Sequence, residues 1–286
     1  MPNPKIKAKE ANMEKTDDEL KLKDISKNVR IKIMDLLHEA KSGHSGGSLG
    51  MADVFTVLFF NTLKHDPEKP DWEERDHMIL SNGHICPLLY VELAESGYIK
   101  EKELMTLRKM GTRLQGHPSR TDFNLIETST GPLGQGICVA AGMAKGFKMQ
   151  NRPNRIYISS SDGEMEEGSS WEAIMFMARH RLDNVTMFID RNYLQIGGDT
   201  EEIIGLDPLA DKLKAFNWNV IEADGHVYSQ IIKAFEQAKN TKGKPTVIIF
   251  RTMMGKGVSF MENKAEWHGK APNDEEYAQA IEELNR

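Results

Sequence analysis

The sequence predicts an α/β protein: a parallel sheet with helices on both faces. Short apolar runs alternate with helical periods through the second half of the chain, at the spacing of strand–helix–strand units. The run at residues 156–160 has the character of a strand buried on both sides. At 286 residues, 39% hydrophobic and 28% charged, the chain is long enough to bury a sizeable core and ordinary in composition for a globular protein.

The elements follow in order. Residues 1–16 are charged and aperiodic, and read as a mobile arm. The remainder, 17–286, reads as one domain. A helical period opens at Asp17, with Ile25, Val29, Ile33, Leu36 and Leu37 on one stripe. It runs to Ala40 and ends at the glycine-rich stretch Ser42-Gly43-His44-Ser45-Gly46-Gly47-Ser48. A second apolar helix spans 53–63, and a strand at 77–80 stops at Ser81-Asn82-Gly83-His84. The segment Gly131-Pro132-Leu133-Gly134-Gln135-Gly136 opens a helix over 137–149. Strands at 156–160, 185–189, 220–221 and 246–250 then alternate with helices at 171–180, 208–216 and 229–239. Sheets of this kind bind ligands beyond the carboxyl ends of their strands.

Composition excludes several classes of function. A net charge of −6 (37 basic against 43 acidic residues) gives no broad electrostatic support to a nucleic-acid partner. Only two cysteines, Cys86 and Cys138, argue against a disulfide scaffold, and without a Cys-x-x-Cys pairing they read as inert buried thiols. The start of the chain has no apolar core of a secretory signal. The longest apolar stretch, residues 54–60 with Thr56 inside it, is far short of a membrane span. These features fit the cytoplasm. The 16 methionines, among them Met143, Met149, Met175 and Met177, read as core filler.

Three signals point to chemistry. Ser161-Asp162-Gly163-Glu164 and Asp190-Arg191-Asn192-Tyr193-Leu194 follow neighbouring strands, which brings Asp162 and Asn192 to one edge of the sheet. A carboxylate, an amide oxygen and a backbone carbonyl are hard ligands suited to Mg²⁺ or Ca²⁺. The same Asp-Gly pair also reads as a plain strand-to-helix turn capped by Asp162. The Glu164, Glu166 and Glu167 cluster reads as a solvated helix start. The glycine-rich segment at 131–136 fits either a turn or backbone amides facing an anion, and it matches neither the Rossmann nor the P-loop spacing. Finally, five of the nine histidines lie in loops: His44, His84, His117, His226 and His268. Four of them, all but His226, are expected to gather at one edge, where they suit proton transfer to a polyhydroxylated substrate.

Together these residues resemble the amino-terminal half of transketolase, a thiamine-diphosphate enzyme. The segments that carry the resemblance, in the family's order, are Lys41-Ser42-Gly43-His44, Leu80-Ser81-Asn82-Gly83-His84, Gly116-His117-Pro118, Gly131 to Gly136, Asp162-Gly163 with Asn192, and His268-Gly269. The resemblance implies a thiamine-diphosphate-binding fold, here its diphosphate-binding domain. It implies that Asp162, Asn192 and the main-chain carbonyl of Leu194 hold the divalent cation. Gly163, the Gly131-Pro132-Leu133 loop, His84 and His268 line the cofactor, and Glu167 stands beside it in a subunit interface. His44, His84, His117 and His268 are the catalytic set. Ser161 replaces the first glycine of the family's Gly-Asp-Gly, and Ser45 follows His44 where the family often has proline. Both changes spare the ligand groups.

The pyrimidine-side half of the family pattern does not occur within the 286 residues. The resemblance therefore implies a separate partner subunit carrying it, an α₂β₂ heterotetramer, and transfer of a two-carbon ketol unit from a ketose phosphate such as xylulose 5-phosphate to an aldose phosphate such as ribose 5-phosphate. Other thiamine-diphosphate transferases, resembling 1-deoxyxylulose-5-phosphate synthase or a transketolase specialised for another sugar, are the alternatives, together with a non-catalytic cofactor-binding protein.

Overall fold

The computed structural model describes residues 15–286. In chain order the helices are α1 (Glu19–Ala40), α2 (Ser45–Gly50), α3 (Ala52–Val57), α4 (Cys86–Glu95), α5 (Gln135–Met149), α6 (Gly168–Arg179), α7 (Thr200–Ile203), α8 (Leu209–Ala215), α9 (Tyr228–Asn240) and α10 (Asp274–Asn285). The strands are β1 (His77–Leu80), β2 (Ile156–Ser161), β3 (Val185–Arg191), β4 (Leu194–Gln195), β5 (Gly198–Asp199), β6 (Asn219–Asp224) and β7 (Thr246–Arg251). Five strands form one parallel sheet in the order β1-β2-β3-β7-β6, and β4 and β5 make a separate two-residue hairpin.

The strands feed two cores, one on each face. Ile156, Ile158, Met187, Ile189, Val247 and Ile249 point to the side covered by α5, α6 and α8. Tyr157, Phe188, Ile248 and Phe250 point to the side covered by α1, α3, α4 and α9. Burial on both faces is why these strands read as continuous apolar runs and not as a two-residue alternation. The expected architecture is therefore the one observed.

Several local readings need correction. The arm read over 1–16 lies largely outside the described residues, and its last two are held in place: the Lys15 ammonium donates to the Thr62 carbonyl at 2.9 Å and the Thr16 amide to the Phe60 carbonyl at 3.0 Å. Residues 45–48, read as part of a glycine-rich break, form with Leu49 and Gly50 the buried helix α2. Packing overrides propensity there, since a side chain on Gly46 would stand 2.5 Å from Met254 Cγ and one on Gly50 2.9 Å from the Met253 carbonyl. The helix read over 53–63 is α3 followed by a π-helical turn, Leu58–Thr62.

Helix α4 went unread because it is buried all round from Cys86 to Leu93 and shows no amphipathic period. Helix α10 did carry a signal, the Asn273/Glu276 capping box, and both of its reciprocal hydrogen bonds are present. Met177 is core, but Met149 and Met175 are exposed (70% and 50%) and fill nothing. Cys86 is buried and burial pushes its thiol up to about 12, whereas Cys138 is only half-buried. Among the described residues no helix is long and apolar enough to cross a membrane.

Candidate functional site

The carboxyl ends of the central strands deliver the site. After β1 comes a 3₁₀ turn carrying His84; after β2, Asp162 and Gly163; after β3, Asn192 and the β4 hairpin; after β7, the segment reaching Met254 and on to His268. They border a cleft of about 230 Å³ whose walls include His44, His84, His268, Gly131, Leu133, Asp162, Gly163, Asn192 and Leu194. His117 stands at its rim, exposed, with its ring 6.2 Å from that of His44.

The four histidines converge. The His44 ring centroid lies 5.2 Å from that of His84 and 5.6 Å from that of His268, and His84 and His268 are 4.9 Å apart. Burial, reinforced by the charges of His268, Arg108 and His117, pulls His44 down to about 4. Burial and its imidazole neighbours hold His84 well below its ordinary value. His117, exposed but partly desolvated where its ring faces the cleft, is lowered by that desolvation and by the Arg108 charge, and His268 is lowered by burial. All four are therefore neutral at physiological pH, each with one nitrogen that donates and one that accepts. The enclosed Nδ1 of His44 has no hydrogen-bond partner among the described residues.

On the opposite wall Asp162 is almost fully buried, its Oδ1 accepting from the Gly163 amide at 2.8 Å and its Oδ2 from the Tyr193 amide at 2.7 Å. Asn192 Oδ1 accepts from the Leu194 amide at 2.8 Å, an Asx-type turn that aims the tip of the hairpin back at the strand ends. Burial pushes the Asp162 carboxyl up to about 6, against the hydrogen bonds from Tyr193 and Gly163 and the Arg191 charge 3.5 Å away. Asp190, enclosed and repelled by Asp162, is pushed up to about 7. Two carboxyls crowded into one dry corner are an arrangement that a divalent cation would relieve, and the carboxylate of Asp162, the amide of Asn192 and the backbone of Leu194, which border the same cleft, are the hard-oxygen groups that could hold one. No group of three or more His, Cys, Asp and Glu side chains arranged to hold a metal occurs among the described residues.

The glycine-rich loop closes the cleft from a third side. At Gly131, φ +155, a side chain would meet the His117 ring at 3.5 Å, so the loop passes close beside the rim histidine. Pro132 is exposed at the loop's crest. Gly136 opens α5 where a side chain would stand 2.6 Å from Ser81 Oγ. Behind it is a residue misread from sequence: Glu164 is not solvated but fully buried. Its Oε1 accepts from Ser81 Oγ at 2.5 Å and from the Gly134 amide at 2.8 Å, while Ser81 Oγ accepts from the Ile137 amide at 3.0 Å. One carboxyl thus ties the end of β1 to the start of α5. Glu166 is half-buried, its carboxylate accepting from Gln195 at 2.9 Å, and Glu167 is exposed at the N-cap of α6. Sequence reasoning also passed over Asp190, Gln195 and Met254; only Asp190, closing a buried strand two residues before Asn192, carried a signal.

A parallel sheet whose strand ends gather Asp162, Asn192, a glycine loop and a bank of histidines around one cleft has the form of a ligand-binding α/β protein. Residues 22–285 match the family described as Transketolase, thiamine diphosphate binding domain, and the chain belongs to that family. It is 44% identical over 244 residues to the 6-deoxy-6-sulfo-D-fructose transketolase subunit SqwG of a Clostridium species, covering 85% of this chain and 89% of that one. It is 39% identical over 260 residues to an apulose-4-phosphate transketolase subunit of Phocaeicola vulgatus, covering 91% and 92%. Human transketolase is 36% identical over 264 residues, which are 92% of this chain but 42% of the human protein. The solved transketolase of Leishmania mexicana superposes with a TM-score of 0.87 at 31% identity, over 93% of this chain and 41% of that one. The chain thus spans about two fifths of the full-length transketolases it matches and most of the two subunits.

Proposed function

We propose that the chain is the diphosphate-side subunit of a two-chain, thiamine-diphosphate-dependent ketol transferase, with residues 17–286 acting as one unit. The observation that carries this reading is the bank of four neutral imidazoles, 4.9 to 6.2 Å apart, across one cleft from the Asp162, Asn192 and Leu194 oxygens. In this reading Asp162, Asn192 and the Leu194 carbonyl hold Mg²⁺ or Ca²⁺, and Gly131, Pro132, Leu133 and Gly163 face the diphosphate. The bound cofactor supplies an electron sink for breaking and making a carbon–carbon bond. The chain's share is to orient the sugar, exclude water and move protons. His44, His84, His117 and His268 donate from N–H to developing oxyanions and accept sugar hydroxyl protons at the free nitrogen, a dual role open only to uncharged imidazole. Exposed Glu167, beside the cleft, meets a neighbouring subunit in an α₂β₂ assembly.

The separate partner is supported by the names of the two relatives matched nearly end to end, both of which are subunits. Xylulose 5-phosphate as donor and ribose 5-phosphate as acceptor make the first reading of the substrates. A second, a specialised sugar, is favoured by the same names, which specify a sulfofructose and apulose 4-phosphate. The test is to purify the chain with whatever second polypeptide co-isolates, add thiamine diphosphate and Mg²⁺, and assay two-carbon transfer with each donor. Transfer that needs both polypeptides supports the reading. Tight cofactor binding with no transfer from any of these sugars overturns it in favour of a binding protein.

A further inference from the structure

His226 is the loop histidine that the cleft does not use. Its Nδ1 lies 2.9 Å from Asp53 Oδ2, and its Nε2 lies 2.9 Å from the Met253 amide nitrogen. The backbone amide can only donate, so Nε2 must carry the lone pair. Asp53 also takes Arg30 through both carboxylate oxygens (2.8 and 2.7 Å), Tyr228 at 2.7 Å and Ser26 at 2.8 Å, and the Arg30 charge beside it holds it far below the usual carboxylate range. Nδ1 must therefore carry the proton. The two contacts admit one species, neutral imidazole protonated at Nδ1.

What this imidazole holds is the stretch that leaves β7. Thr252 donates through Oγ1 to Asp190 and through its amide to the Arg191 carbonyl at 3.3 Å; the Met253 amide goes to His226; the Gly255 amide donates to the Gly46 carbonyl at 2.8 Å. Met254 in the middle walls the cleft, and its side chain stands where a side chain on Gly46 would be. The strap thus joins the Asp190–Asn192 corner to the helix that begins at His44, and His226 fastens its midpoint to the buried Arg30–Asp53 pair.

We propose that His226 is a positioning residue: as a donor–acceptor bridge between Asp53 and the Met253 amide, it keeps the Thr252–Gly255 strap, and through it the His44 turn, in register with the Asp190–Asn192 corner. The functional consequence rests on the ketol-transferase reading, but the geometric one does not. In the full chain labelled with ¹⁵N-histidine, His226 should show the Nδ1-protonated neutral pattern near neutral pH. His226→Ala should speed amide exchange across 252–255 about tenfold or more and shift the His44 ring signals. His226→Gln, which keeps one donor and one acceptor, should recover most of both. In the active assembly the Ala variant should lose kcat about tenfold with KM nearly unchanged, and Gln should restore it. An Nε2-protonated His226, unchanged exchange in Ala, or a Gln variant no better than Ala overturns the proposal. A wild-type chain that behaves as described but transfers no ketol unit overturns the functional reading and leaves the bridge standing.

Discussion

Cation binding should be gated by the ionisation of Asp162. Burial holds its carboxyl at about 6, up from an ordinary 3.8. One pH unit below that value only about a tenth of the molecules offer a carboxylate, so a cation that needs the charge binds roughly tenfold more weakly near pH 5 than on the plateau, a difference of about 1.4 kcal/mol. With the cation in excess, the same amount appears as ligand-induced stabilisation, or about 3–6 °C of melting temperature for a domain of this size. The sign follows from which form the cation pairs with. It binds the ionised carboxyl, so its stabilisation is full above the folded value and fades as pH falls through about 6. Asp190, at about 7, ionises later and carries the rise further before it levels. The assay is calorimetry of the full chain with and without Mg²⁺ near pH 5, 6 and 7.5 at fixed ionic strength. The low-titrating histidines weaken the fold as pH falls below their ordinary 6.5 in both samples, so the difference between samples removes them to first order. Asp162→Asn is the control. An amide cannot accept from both the Gly163 and Tyr193 amides, which costs about 1–3 kcal/mol, and it carries no charge, so the Mg²⁺ shift should vanish. An equal shift near pH 5 and pH 7.5, or one that survives in Asp162→Asn, would refute the assignment.

Other perturbations separate chemistry from scaffold. His44→Ala should lower ketol transfer about a hundredfold or more while thiamine diphosphate binding, read by calorimetric titration, changes little; a parallel loss of binding would move His44 from the proton chemistry to cofactor retention. Gly136→Ala should cost about 1–3 kcal/mol in urea unfolding, because the new Cβ meets the Ser81 side chain at 2.6 Å and its Cα at 2.7 Å, and unchanged stability would mean that α5 shifts freely. Arg30→Met should cost about 3–5 kcal/mol by leaving Asp53 charged and buried, and adding Asp53→Asn should recover a good part; a double variant no more stable than the single would show that the loss is packing.

The fold was legible where burial is two-sided or periodicity is clean. Strands β2, β3 and β7 lie within a residue or two of their reading, because a strand enclosed on both faces announces itself as an apolar run. Helix α2 was illegible for the opposite reason: Ser45-Gly46-Gly47-Ser48 has no local drive toward helix, and only contact with Met253, Met254 and Ile85 makes it one. In the candidate site, the residues singled out for a fixed spacing or a loop context, Asp162, Asn192 and the four histidines, do converge in space. Those that act from behind were not. Glu164 looked solvated because acidic residues normally favour an exposed first turn, and nothing local reveals that Ser81 and the Gly134 amide, far along the chain, wait to receive it.

The strand order explains why the oxygen corner and the histidine bank meet where they do. The chain lays down β1, β2 and β3 side by side, jumps outward to β6, and returns to place β7 against β3. The carboxyl ends of β3 and β7, neighbours in the sheet but not in the chain, therefore border the cleft, beyond the strand ends where such sheets leave room for a ligand. In register Asp190 pairs with Phe250 and Arg191 with Arg251, so the residues just beyond, Asn192 and Thr252, leave the sheet side by side. The β3 side turns into the Asn192 hairpin and offers oxygens. The β7 side becomes the strap that runs to Gly46 and on toward His268. A single strand pairing thus sets the spacing between the Asp190–Asn192 corner and the imidazoles, and the hydrogen bond from Thr252 to Asp190 locks it at the point of divergence. Substitutions that slacken this junction, Thr252→Val being the smallest, should therefore loosen both halves of the site together. Loss of cation affinity with an undisturbed histidine spectrum would show instead that each wall is held by its own strand.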